Sequence, residues 1–323
     1  MRALILAAAL FGATPLAAQV LTVYAPDYFT SEWGPGPRIE EIYEARCDCD
    51  LVFKPGDLLP RLMLEGSRSE ADVVIGLTGD LLKKARESGL FTSHDIDLSA
   101  LTLPVSWEDG IFVPFNYSHT AFVHDTARSD APASFDALLD APEDLRIVIQ
   151  DPRSSASGLA LALWVHAIYG DEAETAWARL APKIVTVTKG WSESYGLFTS
   201  GEADMVLSYT TSPAYHLIAE NDATKRAAIF PEGHYFLVEA AGRLASSDQP
   251  DLAKDFLAFL LDREFQSMIG TANWSLPAAL ERKDWPEGFQ ALDWPEHVLS
   301  YSEEEAASMR DEAIEAWRAG MMR

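Results

Sequence analysis

Phe112-Val113-Pro114-Phe115-Asn116-Tyr117 runs on into Thr120-Ala121-Phe122-Val123-His124 with no helix between them. A stretch this long in extended form reads as a crossover between two lobes. Upstream of it, short β-rich runs alternate with amphipathic helical stretches. Strands are expected at residues 21–24, 51–54 and 71–76, and helices at 38–46, 58–65 and 80–88, the last two closed by Gly66 and Gly89. That order implies βα units on a largely parallel sheet. Downstream the pattern repeats. Strands are expected at 146–150, 184–187, 204–209 and 227–230, and helices at 158–169, 172–180 and 193–199, with another beginning at Pro213. A second extended stretch at 234–241 reads as the return crossover, after which helices dominate: 250–261, 264–269, and a C-terminal helix opened by the capping box Ser302-x-x-Glu305. The expected fold is α/β and two-lobed, with two crossover strands forming a hinge: lobe I from 19–113 and 235–323, lobe II from 114–234. Hinge closure around a ligand is what such an arrangement permits.

The N-terminus points to export. Arg2 precedes an apolar run from Ala3 to Leu10, followed by Gly12, Pro15 and the small residues Ala17-Ala18 before Gln19. This is the pattern of a signal peptide over 1–18, and Gly12 and Pro15 break the run well short of the roughly 20 apolar residues that a spanning helix needs. A soluble protein free in the periplasm follows. With a formal charge of −25, the chain of 323 residues is an unpromising partner for nucleic acid or an anionic membrane surface. Its only cysteines are Cys47 and Cys49. In an oxidising compartment they form a local disulfide or remain two free thiols; a metal site would need further ligands nearby.

No nucleophile elbow, phosphate-binding loop, dinucleotide fingerprint or zinc-protease motif is present. No catalytic residue, resident cofactor or metal site is therefore expected. The tryptophans are more informative. Trp164, Trp177 and Trp317 fall in helical patterns and read as core. Trp33, Trp191 and Trp274 sit in polar loops or at element ends. Ligands of open α/β sheets lie beyond the carboxyl ends of the strands, where Trp191, Tyr209 and Tyr215 are expected. An aromatic box there suits a flat, delocalised cation, each contact contributing about 0.5–2 kcal/mol. Two helix starts, Ser154-Ser155-Ala156-Ser157-Gly158 and Thr210-Thr211-Ser212-Pro213, offer backbone N–H groups and hydroxyls to an anion. The same residues also serve as ordinary N-caps, and the two roles are compatible.

At these positions a resemblance becomes specific. Leu21-Thr22-Val23-Tyr24, Trp33-Gly34-Pro35-Gly36-Pro37, Gln150-Asp151-Pro152-Arg153, Lys189-Gly190-Trp191-Ser192-Glu193, Tyr209-Thr210-Thr211-Ser212-Pro213, Glu232-Gly233-His234-Tyr235 and Asn273-Trp274 closely resemble periplasmic thiamine-binding proteins of ABC importers, in the same order through nearly the whole mature chain. The resemblance implies a type II-like solute-binding fold. It also implies capture of thiamine, thiamine monophosphate or thiamine diphosphate, and delivery to an ABC permease. Ring contacts would fall on Trp33, Trp191, Tyr215 and Trp274, with Ser155 and Tyr209 as polar partners. The family usually has a Tyr where this chain has Pro26, so Tyr28 is the expected replacement. A carboxylate that would bond the pyrimidine amine is assigned to Asp57.

Two other readings compete. Thiaminases of similar fold attack thiamine through a cysteine, but Cys47 and Cys49 fall away from the expected crevice and lack an adjacent base. A binder of iron would want adjacent tyrosines, and a polyamine binder several cleft carboxylates. A monomer is the expected state.

Overall fold

The computed structural model describes residues 19–31, 34–128 and 130–322. The signal peptide expected over 1–18 and Trp33 lie outside the described residues. The chain opens with β1 (Gln19–Ala25), α1 (Gly36–Glu44), β2 (Cys49–Pro55), α2 (Leu58–Glu65), β3 (Val73–Thr78) and α3 (Gly79–Glu87). β1 lies between β2 and β3, parallel to both. Successive strand residues point to opposite faces. Leu21, Val23, Val73 and Ile75 accordingly join one core cluster and Tyr24 and Val74 another, which Leu77 also enters because the register shifts between Ile75 and Leu77. Helices cover both faces, so Val73–Thr78 is buried throughout and reads in the sequence as an unbroken apolar run.

β4 (Phe112–Asp125) follows, buried along its whole length. Beyond it come α4 (Phe135–Asp140), β5 (Ile147–Gln150), α5 (Ala156–Tyr169), α6 (Ala173–Leu180), β6 (Ile184–Thr188), α7 (Trp191–Thr199), β7 (Met205–Tyr209), the single turn α8 (Pro213–Tyr215) and β8 (Lys225–Ala227). β9 (His234–Arg243) leads to α9 (Pro250–Phe259), α10 (Arg263–Ala272) and a C-terminal helix, Glu303–Met321. β5 is parallel to both β6 and β7, giving a second parallel set.

The strand order β2-β1-β3-β9-β4-β7-β5-β6 explains how the two sets are joined. β9 and β4 run antiparallel to each other at the centre, and each is antiparallel to the parallel set that it borders. Within β4 the division is sharp: residues 112–119 pair with β9, and residues 120–124 pair with β7. The chain therefore leaves one sheet and enters the other along a single strand and returns along β9.

Most element ends differ from the sequence expectation by a few residues. The strand expected at 227–230 is instead Lys225–Ala227, because Ala227 is the last residue paired to β4 and the Phe230 amide turns to donate to His234 Nε2 at 2.8 Å. The helix expected from Pro213 lasts one turn and widens into a π-helical turn over His216–Glu220, stopped by left-handed Asn221. Cys47 and Cys49 are joined in a disulfide. The capping box at Ser302 and Glu305 is formed, and the C-terminal helix packs on α3 as well as on α5 and α6, so it touches elements from both sides of the hinge.

Candidate ligand-binding cleft

Thr188, at the end of β6, is followed by Lys189-Gly190, and the helix α7 starts directly on Trp191. The position puts an indole at the carboxyl edge of the second sheet. Trp191 Nε1 donates to Ser208 Oγ at 2.7 Å, and its ring stacks on Tyr195 with centroids 4.6 Å apart and planes inclined 22°. The side chain is still 38% exposed. One face is fixed and the rest is left open.

The rings continue from there. Tyr195 shares a 2.9 Å hydrogen bond with His216 Nε2, and His216 Nδ1 lies 2.6 Å from Glu220. Tyr215, beside His216, is 38% exposed and meets Trp274 edge to face at 5.2 Å and 85°. Trp274 in turn lies parallel to Phe289. Its backbone adopts φ +50°, rare for a bulky residue, just after α10 ends. Trp191, Tyr215 and Trp274 are thus connected through one set of ring contacts, drawn from the β6–α7 junction, α8 and the segment after α10.

A second group gathers polar atoms. The Tyr28 hydroxyl donates to the Glu239 carboxylate, whose other oxygen accepts from Asn273 Nδ2 at 3.2 Å. Burial, and then the nearby Glu239 charge, hold the Tyr209 hydroxyl well above the usual phenol range, and the Tyr28 hydroxyl shifts the same way although 40% of that residue is exposed. Tyr209 is close enough to Ser157 for that hydroxyl to oppose the shift. Ser157 Oγ donates to Gln150 Oε1 at 2.8 Å and shares a 2.9 Å bond with Ser155 Oγ. Ser155 is the N-cap of α5, accepting from the Gly158 amide. Gly158 is required there: a Cβ would lie 2.5 Å from the carbonyl oxygen of Gln150. Tyr28, in the turn after β1, and Tyr209, at the end of β7, are therefore both close to Glu239, with Ser157 of α5 beside Tyr209.

Among the residues singled out from the sequence, Trp191, Tyr215 and Trp274 form the aromatic group, while Tyr28, Tyr209 and Ser155 belong to the polar one. Pro26 packs against Gly76, and the turn Asp27–Thr30 that follows brings Tyr28 to Glu239. Asp57 is exposed in the turn after β2; its side chain makes no capping bond to α2, and the adjacent Gly56 amide donates to Ala25 O. Sequence reasoning missed Glu239, Asn273, Ser157 and the His216–Tyr195 pair. Of these, Ser157 carried a signal as a hydroxyl of the helix start at 154–158, and Asn273 as the neighbour of a loop tryptophan. The disulfide removes the thiolate that a cysteine-dependent attack would use.

Two parallel sheets bridged by a pair of crossing strands, with rings and hydroxyls converging beyond their carboxyl edges, define a cleft-type binding protein. Residues 18–267 match the family model for bacterial extracellular solute-binding proteins, and the chain belongs to that family. It is 45% identical to the thiamine-binding periplasmic protein of Escherichia coli strain K12, with 94% of each chain covered. It is 44% identical to the corresponding protein of Salmonella typhimurium over 97% of each. A solved periplasmic thiamin binding protein superimposes with a TM-score of 0.90 at 45% identity, covering 95% of this chain and 97% of that one. Among the described residues, no helix is long and apolar enough to cross a membrane.

Proposed function

We propose that this chain is the periplasmic solute-binding component of an ABC importer, exported by the leader at 1–18, that captures thiamine and its phosphate esters and hands them to a membrane permease. It acts as a monomer and transforms nothing. The lobes are 19–113 with 235–323, and 114–234, closing about β4 and β9. The observation that carries this reading is the connected set of partly exposed rings, Trp191, Tyr215 and Trp274, beside the Glu239 carboxylate. Rings so placed suit a flat cationic heterocycle, and relatives of near full-length coverage bear the name thiamine-binding. Trp33 adds a further ring, and Asp57 a hydrogen bond to the pyrimidine amine. Ser155 and Ser157, at the start of α5, receive the phosphate where the helix presents free amides and its positive end.

The test is a calorimetric titration with thiamine, thiamine monophosphate and thiamine diphosphate, followed by recovery of the ligand. Saturable binding and unaltered thiamine are expected. Absence of binding, or appearance of pyrimidine cleavage products, would sink the proposal. A narrower outcome follows for Ser155→Ala. Removing one hydroxyl to a charged oxygen weakens binding of the monophosphate about 10-fold. Affinity for thiamine itself stays within about 3-fold, because no anion is lost from that complex. Equal losses for both ligands would take the phosphate away from this helix.

A further inference from the structure

Nothing in the sequence distinguishes Glu239, a polar residue in an alternating strand. The structure puts it on β9, paired to Asn116 of β4 on one side and to Thr78 of β3 on the other. It therefore stands where the two crossover strands meet the first parallel set. Its other neighbours are Tyr28, Asn273 and, from the end of β7, Tyr209. All of these are neutral. The Asn116 amide faces the same carboxylate and its Nδ2, fully buried, has no other partner. Among the described residues, no Lys, Arg or His forms an ion pair with Glu239.

Glu239 is partly buried, and an ionised carboxylate drawn partly out of water is destabilised unless a positive charge is close by, since neutral donors recover only part of that cost. Burial has the consequence expected for such a group: the Glu239 carboxyl holds its proton more strongly than an ordinary glutamate. The groups that touch Glu239 are themselves uncharged phenol and amide.

We propose that Glu239 is the counter-charge of the cleft, the residue that selects a permanently cationic ring over an uncharged ring of the same shape. The assignment deepens the thiamine reading and rests on it. The carboxylate and the thiazolium attract across a partly buried site, where Coulomb attraction is stronger than in bulk water. Aromatic stacking alone would hold either ring. Charge decides between them.

The probes are thiamine and its thiophene isostere, in which the quaternary ring nitrogen is replaced by carbon, each titrated calorimetrically against wild-type protein and Glu239→Gln. Wild type is expected to prefer thiamine by about 10- to 100-fold. In the Gln variant that preference shrinks toward one, while affinity for the isostere stays within about 3-fold because the amide keeps the shape of the carboxylate. An unchanged preference in the variant, or none in wild type, overturns the assignment and leaves thiamine binding intact as a separate result. Wild type that binds neither probe overturns the thiamine reading and this one together. A second measurement follows both proteins across pH. Between about pH 8 and pH 4.5 the wild-type preference should fall as Glu239 takes up its proton. The Tyr28 and Tyr209 hydroxyls are held above their ordinary range and buried His119 on β4 is pushed down to about 3, while any contribution of the His216–Glu220 pair is present equally in the Gln variant and is removed by the comparison. Both ligands carry the same aminopyrimidine, so its own titration cancels. A preference flat across the window overturns the assignment.

Discussion

Replacing Trp191 with Ala is expected to raise the dissociation constant for thiamine about 10- to 100-fold, while the protein stays folded at its usual midpoint to within a few degrees. Both halves follow from the same geometry. The indole is stacked on Tyr195 across one face and anchored through Nε1 to Ser208, so it is held rigid before any ligand arrives. A pre-ordered ring loses little conformational freedom on binding, and its contribution therefore appears almost fully in the affinity. It is also 38% exposed, so the core loses little when it is cut back. Ser208 still shares its hydroxyl bond with Ser212 at 2.6 Å and is not stranded. Trp191→Phe should recover part of the loss, since it keeps a ring on Tyr195 but not the anchor. Calorimetry is the right readout because Trp191 is itself a fluorophore. Equal affinities for wild type and the Ala variant would remove Trp191 from the site.

The contrast between kinds of tryptophan was legible in the sequence because exposure in a polar loop and repetition within a helix are local properties. Trp164, Trp177 and Trp317 are buried in one core, as their helical setting implies. Trp191 and Trp274 are partly exposed and connected through other rings. The two crossovers were legible for a similar reason: an extended run with no helix in it cannot close a βα unit. Glu239 was not. Its significance depends on Asn116, Thr78, Tyr28 and Asn273, which come together only when β9 is flanked by β4 and β3. Along the chain it is one polar residue among alternating apolar ones, which ordinarily marks a solvent face. The short α8 was illegible too. Pro213 and the preceding Ser give a sound helix start, but nothing local announces that the turns widen after Tyr215 and end at Asn221. There His216 is held between Tyr195 and Glu220, contacts that lie across and along a distorted turn.

Trp164→Ala is the substitution with the largest expected effect on stability, a loss of about 3–5 kcal/mol. The side chain is fully buried, packed edge-on to Phe135 at 4.9 Å and stacked with Phe230 at 5.8 Å. Truncation leaves a hole among aromatic rings that are themselves fixed from other sides, so the surroundings can collapse only in part. It also removes the donor at Nε1, which bonds Gly233 O at 2.9 Å, just before β9 begins. That bond fastens α5, the helix whose first turn carries Ser155 and Ser157, to the start of the return crossover. Chemical denaturation should therefore show a lower midpoint with little change in slope if the unfolding remains one transition. Thiamine separates stability from recognition. No ring of the aromatic group touches Trp164, so the variant should bind thiamine with nearly wild-type affinity below its transition. Ligand at about 100 times its dissociation constant should then restore about 2.7 kcal/mol in both proteins. A much smaller recovery in the variant would mean that loosening α5 from β9 also disorders the cleft, and that the polar group around Glu239 depends on this buried indole for its geometry.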